Sequence, residues 1–220
     1  MQLVLFYSLV LILPLLFIPS VYNPYEFPKF VFFVTIVFIL FLLNLKIILR
    51  KVLSKIDVLT KLVLIYGFIV YVSNILGLDL KTSFLGSQIR HQGFITLLAG
   101  IGLFILCHPE RSEGSRDSSS IRTQNDMMVS WILLGGFLVS LFAIWQGIAF
   151  FVFHDLSIPT YQGRIVGTIG NPNSLAGYLV MILPFALFNK NNIIKIVLSL
   201  MITVTIIFTD SRSAFLAIGI

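Results

Sequence analysis

The sequence contains little charge and a single cysteine. Only 11% of its 220 residues are charged, whereas 58% are hydrophobic and the mean hydropathy is +1.02. A soluble core of this length cannot bury that much apolar surface, so the composition excludes an ordinary soluble domain. Cys107 has no second cysteine for an internal disulfide. We interpret it as a small buried apolar side chain, with S-palmitoylation as the alternative.

Motifs for several kinds of chemistry are also missing. The chain has no phosphate-binding P-loop, no dinucleotide-binding glycine pattern and no nucleophile elbow. Its three histidines and its carboxylates have no metal-ligand spacing, so we expect neither a metal nor a cofactor, and each histidine fits a solvated loop position. No dense basic stripe is interleaved with aromatics, so nucleic acid is not an expected partner.

Long apolar runs fill the rest of the chain. About 20 apolar residues are needed to cross roughly 30 Å of hydrocarbon. The sequence therefore predicts an all-α polytopic membrane protein, with residues 1–220 forming one transmembrane helix bundle. The seven predicted spans are residues 3–18, 30–49, 58–77, 93–107, 128–153, 173–188 and 193–209. An eighth run begins at Ala214, and the first run lacks the cleavage site of a signal peptide.

The distribution of Lys and Arg indicates an orientation. With a cytoplasmic N-terminus, ten basic residues lie on the inner side and five on the outer side, which agrees with the positive-inside rule. The five outer residues are Lys29, Lys81, Arg90, Arg164 and Arg212. Residues 108–127 then form an inner loop whose polar, low-complexity composition predicts disorder.

Three arginines from separate outer loops lie next to predicted helix ends, where they can converge. Arg164 precedes a turn containing Gly167 and Gly170, and Asn173 is the predicted N-cap of the following helix. Free N–H groups at that helix start would form an anion site.

The other two arginines have polar neighbours of their own. Asp210 and Ser211 are the predicted caps before Arg212, and His91 follows Arg90. Two simpler interpretations stay open: the arginines contact lipid headgroups, or Arg212 forms an ion pair with Asp210.

The order of these segments resembles a known family. The stretches "GSQIRHQG", "RIVGTIGNPNSLAGYL" and "TDSRSAFLAI", each after an apolar run, are similar to the O-antigen ligase and polymerase superfamily of bacterial membrane glycosyltransferases. The resemblance extends from about Tyr22 to the end. Arg164 and Arg212 match the family's motif arginines, and Arg90 matches a third.

The resemblance implies a function at the bacterial cytoplasmic membrane. Such enzymes take a glycan from an undecaprenyl diphosphate carrier and pass it to a hydroxyl of a glycan or lipid acceptor. The arginines would hold the diphosphate, with Asn171, Asn173, Gly170 and Ser211 as neighbours. The family's catalytic histidine lies in a later outer loop, so the catalytic base is expected outside this chain, which is expected to be the inactive N-terminal part of a longer protein.

A non-enzymatic flippase or other transporter is the competing hypothesis. Transporters place ionisable groups near mid-membrane, often in broken helices. Here the centres of the predicted spans carry almost no charge, and the arginines gather at one face. A membrane scaffold would explain the apolar runs but not the glycine-rich turn.

Overall fold

The computed structural model describes residues 2–46, 57–77, 79–87, 93–107, 118–155, 157 and 159–219. Helices and one short hairpin make up the elements of this part of the chain. They are α1 (Gln2–Leu15), α2 (Glu26–Leu43), α3 (Val58–Ile75), α4 (Leu80–Leu85), α5 (Phe94–Cys107), α6 (Ser118–Phe151), β1 (Thr160–Tyr161), β2 (Arg164–Ile165), α7 (Pro172–Leu187), α8 (Asn192–Thr209) and α9 (Arg212–Ile218).

The predicted helical class is confirmed, and the helices indicate a membrane protein. Among the described residues, four helices are long and apolar enough to cross a membrane: α2, α3, residues 125–151 of α6, and α8. Three further apolar stretches, Leu5–Leu15, Phe94–Cys107 and Pro172–Leu187, are shorter than 18 residues. Seven spans, the cytoplasmic N-terminus and a single transmembrane domain therefore stay predictions.

The contacts of the chain fall into two compact units. The N-terminal unit comprises residues 1–9 and 18–116, and the C-terminal unit comprises residues 10–17 and 117–220. In the N-terminal unit α5 packs against α2, α3 and α4. Three aromatic rings join α3, α4 and α5. The ring centroids are 5.5 Å apart for Tyr71 and Phe94, and 5.6 Å apart for Phe84 and Phe94. Cys107 is exposed, so its predicted burial is wrong, because it is the last residue of α5.

The C-terminal unit has a densely packed core. Helix α8 packs against both α6 and α7, and α9 packs against α7. Close approach depends on glycines of α6: a Cβ at Gly136 would lie 2.9 Å from the Ile182 side chain, and one at Gly147 would lie 2.4 Å from the Phe208 ring. Fully buried members of this core include Val139, Leu175, Leu179, Ile202 and Ile206.

Helix α6 corrects the predicted inner loop. It begins at Ser118, so residues 118–127, expected to be disordered, are helical, while residues 108–117 lie outside the described part of the chain. The physical reason is that residues 118–127 contain neither proline nor glycine and precede a long apolar helix that they can extend. With 34 residues, α6 is roughly 50 Å long, which exceeds the hydrocarbon thickness.

Candidate functional site

A two-stranded hairpin presents Arg164. Tyr161 pairs with Arg164 and Thr160 pairs with Ile165 in antiparallel register. The two turn residues, Gln162 and Gly163, have φ values of 54° and 76°, and a turn with two positive φ angles matches the twist of a hairpin. Ile165 is fully buried in the core of the C-terminal unit, which fixes one end of the short strand.

A buried glutamine holds the loop that carries this hairpin. The Gln146 side chain is 1% exposed; its Nε2 donates to the Pro159 carbonyl at 2.6 Å, and its Oε1 accepts from the Gly167 N–H at 2.8 Å. The Thr168 hydroxyl donates to the Pro14 carbonyl of α1 at 2.8 Å. Sequence analysis missed Gln146, although an amide within the apolar stretch "AIWQGIAF" is a signal for a buried polar contact.

The start of α7 differs from its prediction. Asn171, not Asn173, is the N-cap, and its Oδ1 accepts from the backbone N–H groups of Asn173 at 2.9 Å and Ser174 at 3.2 Å. Pro172 has no N–H, and the Leu175 N–H donates to the Asn171 carbonyl. The predicted anion site of free helix amides is therefore wrong, because the cap residue already occupies these donors. Gly170, with φ of 87°, lets the chain turn into this cap.

Arg164 lies between the start of α7 and the end of α8. Its Nε donates to the Thr209 carbonyl at 2.7 Å, and its Nη2 donates to the Asp210 carbonyl and to Asn173 Oδ1, both at 2.9 Å. Asp210 is the C-cap of α8 in the left-handed region, with φ of 47°. The guanidinium thus satisfies carbonyls that have no partner within the helix.

Ser211 joins the same group. Its side chain is fully buried, and its hydroxyl donates to Asn173 Oδ1 at 3.2 Å and lies 3.1 Å from the Ser213 hydroxyl. We call Arg164, Asn173, Ser211 and Ser213 the Arg164 cluster. Ser211 is the N-cap of α9 by position, but its side chain makes no cap hydrogen bond, and Asp210 caps α8 instead, so the predicted side-chain capping of α9 is wrong.

Arg212 follows Ser211 in the chain and is exposed. Within the described part of the chain it makes no ion pair, and the alternative of an Arg212–Asp210 bridge is not formed. Nη1 of Arg164 and Nδ2 of Asn173 likewise have no hydrogen bond to the described residues. The structure therefore brings Arg164, Asn173 and Ser211 together, with Arg212 next to Ser211 in the chain, and leaves several N–H donors available.

Arg90 and His91 fall outside the described residues, so the convergence of three arginines stays a prediction. In the segment between α6 and β1, the Ser157 hydroxyl and backbone N–H donate to Asp155 at 2.6 and 3.0 Å and hold the pKa of that carboxyl below its usual value. Over the ranges that the structure describes, no group of three or more His, Cys, Asp or Glu residues has a metal-binding arrangement.

Comparisons with family models, curated proteins and solved structures give no match for this chain. The geometry of the Arg164 cluster is therefore the basis for assigning a function.

Proposed function

We propose that the Arg164 cluster and Arg212 bind the diphosphate of a lipid-linked glycan, as part of a membrane glycosyltransferase like the O-antigen ligases and polymerases. One observation carries the proposal. The Arg164 guanidinium, the Asn173 amide and the Ser211 hydroxyl meet where the hairpin, α7, α8 and α9 come together, and Arg212 directly follows Ser211 at an exposed position. Donors of Arg164, Asn173 and Arg212 have no bond to the described residues.

The chemistry of the proposed reaction requires such donors. An acceptor hydroxyl attacks the anomeric carbon, the bond from that carbon to the diphosphate oxygen breaks, and the hydroxyl proton passes to a base. Negative charge grows on the departing diphosphate. Guanidinium groups bind phosphate oxygens with charge-assisted hydrogen bonds, and they accelerate transfer to the extent that these bonds strengthen in the transition state.

The arrangement of Arg164 supports binding in a second way. Three hydrogen bonds fix its side chain before any ligand arrives, so little conformational entropy is lost when the remaining Nη1 donors contact an anion. Arg212, being exposed, supplies the more adaptable contact.

The proposed location follows from the charge distribution. The excess of Lys and Arg on one side supports a cytoplasmic N-terminus with seven spans, which would place the Arg164 cluster at the outer face of the bacterial cytoplasmic membrane. The carrier diphosphate would enter from the bilayer, and the acceptor would be a glycan or lipid hydroxyl at the same face.

Arg212 gives the clearest test, because its replacement removes no side-chain hydrogen bond or ion pair to the described residues. The chain in lipid nanodiscs should bind a water-soluble, short-chain prenyl diphosphate, measured by equilibrium titration. We expect Arg212→Ala to weaken binding about tenfold or more, and Arg212→Lys to weaken it less, since a charge-assisted bond to phosphate is worth about 1.5–3 kcal/mol.

Lys195→Ala is the matched control, because it removes one positive charge from an exposed position on α8. Its affinity should equal that of the unsubstituted chain. An equal loss in Lys195→Ala and Arg212→Ala would indicate general electrostatic attraction, and unchanged binding in Arg212→Ala would remove Arg212 from the proposed site.

A further inference from the structure

We infer that Tyr161 forms a stacking platform for the sugar ring that is bonded to the diphosphate. This inference rests on the proposed function, because it adds a sugar subsite beside the anion site. The first sugar of a lipid-linked glycan is attached directly to phosphate. A group that recognises this sugar must therefore lie next to the guanidinium that binds the phosphate.

The hairpin places Tyr161 in that position. Tyr161 and Arg164 are a directly opposed antiparallel pair, so their side chains leave the same face of the hairpin with Cβ atoms about 5 Å apart. The Arg164 side chain continues from this face to α7 and α8. The Tyr161 side chain is 52% exposed and makes no ring contact or hydrogen bond within the described part of the chain.

The hairpin is held firmly enough to act as a platform. An isolated two-stranded hairpin is marginally stable in water. This one is fixed by the bond from Gln146 to the Pro159 carbonyl, by the buried side chain of Ile165 and by the bonds of Arg164. Ordered neighbours on both strands reduce the entropy lost when a ligand covers the ring.

An exposed tyrosine ring suits a pyranose. One face of the sugar ring presents polarised C–H groups, and these are attracted to the negative face of an aromatic ring. Stacking also removes apolar surface of both rings from water. The ligand class is therefore a pyranose linked through its anomeric oxygen to the diphosphate.

The test compares two short-chain prenyl diphosphates, one without sugar and one bearing N-acetylglucosamine, titrated against the chain in nanodiscs. We expect the glycosylated probe to bind the unsubstituted chain about tenfold more tightly than the sugar-free probe. In Tyr161→Ala the two probes should bind with equal affinity, and the affinity for the sugar-free probe should be unchanged. Tyr161→Trp should retain the ratio. Tyr22→Ala removes another exposed ring, from the N-terminal unit, and should retain it as well.

The two proposals fail in different ways. If the sugar-free probe does not bind the unsubstituted chain, the diphosphate site itself is wrong. If it binds but the two probes have equal affinity, or Tyr161→Ala keeps the ratio, only the sugar platform is wrong and an aromatic at the membrane interface is the better interpretation. If Tyr161→Ala weakens the binding of both probes equally, the ring stabilises the hairpin and does not bind the sugar, which would also overturn the inference.

Discussion

The two units share a similar apolar composition but differ in how they bury it. In the N-terminal unit α3 buries none of its residues, and an open groove of about 680 Å³ lies between α3 and α5, bordered by Val63, Tyr66 and Gly100. In the C-terminal unit α8 buries five residues within a continuous core. Apolar runs alone therefore do not produce a core.

Small residues at helix contacts explain part of this difference. Lipid is as apolar as a leucine side chain, so helices associate in a membrane through close packing. Gly136 and Gly147 allow α6 to approach α7 and α8. In the N-terminal unit a Cβ at Gly67 would lie 2.7 Å from the Ile101 side chain, whereas a Cβ at Gly100 of α5 would have nothing within 4 Å.

The two units also differ in the hydrogen bonds that their polar side chains make. Asn44 and Asn74 of the N-terminal unit donate to carbonyls four residues earlier in the chain. Gln146, Arg164 and Thr168 of the C-terminal unit bond to segments distant in sequence. Bonds of the second kind fix tertiary structure, and they hold the elements around the Arg164 cluster.

Adding a methyl group to a tight contact should have the largest effect. Gly147→Ala should lower the free energy of unfolding by about 2–3 kcal/mol, because the new Cβ collides with the Phe208 ring. Gly100→Ala and Gly177→Ala face open space and should be tolerated. The free energy of unfolding of all three variants can be measured in mixed detergent micelles. If Gly100→Ala lowers it as much as Gly147→Ala does, the difference between the two units is not one of helix packing.

Removing the buried amide should have the next largest effect. Gln146→Leu leaves the Gly167 N–H and the Pro159 carbonyl without partners and should cost about 2 kcal/mol. Asn74→Leu, which removes a bond within one helix, should cost less. Protease sensitivity of the loop at residues 152–170, measured beside global unfolding, should rise in Gln146→Leu only.

The bond from Thr168, in the segment between β2 and α7, to α1 should contribute about 1 kcal/mol. Thr168→Val keeps the shape of the side chain but removes the hydroxyl that donates to the Pro14 carbonyl. Unfolding of this variant should be compared with that of Thr203→Val, whose hydroxyl bonds within α8. Equal effects would show that the long-range bond adds no more than a local one.

A pH effect in the N-terminal unit should be the smallest. The Thr82 hydroxyl, at 2.5 Å, and the Lys81 N–H, at 3.0 Å, donate to Asp79 and keep the pKa of its carboxyl below the usual value. The folded state thus favours the ionised form, so the stabilisation is present above the unfolded-state pKa, near 4, and is lost as pH falls through the lower, folded-state pKa. Hydrogen exchange in α4 should distinguish Asp79→Ala from the unsubstituted chain at pH 7, and this difference should shrink as the pH falls through the folded-state pKa of Asp79.

Sequence patterns located some helices closely and others less well. Predicted span 30–49 begins four residues after α2 does, and predicted span 128–153 begins ten residues after α6 does. Predicted spans 58–77 and 193–209 differ from α3 and α8 by at most two residues at either end, because long apolar runs between polar residues leave few alternatives. The sequence also singled out Arg164, Asn173, Ser211 and Arg212, since charges and polar groups beside apolar runs are rare. It could not identify the two partners of Gln146, which lie 13 and 21 residues away.

The sequence by itself determined the class of protein, the helices and the residue types gathered near the hairpin, because these depend on local composition and hydropathy. Only the tertiary structure decided which donors remain available. The Asn171 side chain accepts hydrogen bonds from the first free N–H groups of α7. Two nitrogens of Arg164 donate to groups at the start of α7 and the end of α8. Arg212 makes no ion pair with Asp210. The Asn171 cap is a local contact. Two bonds of Arg164 join it to groups 45 and 46 residues away, and local patterns carry no information about those positions.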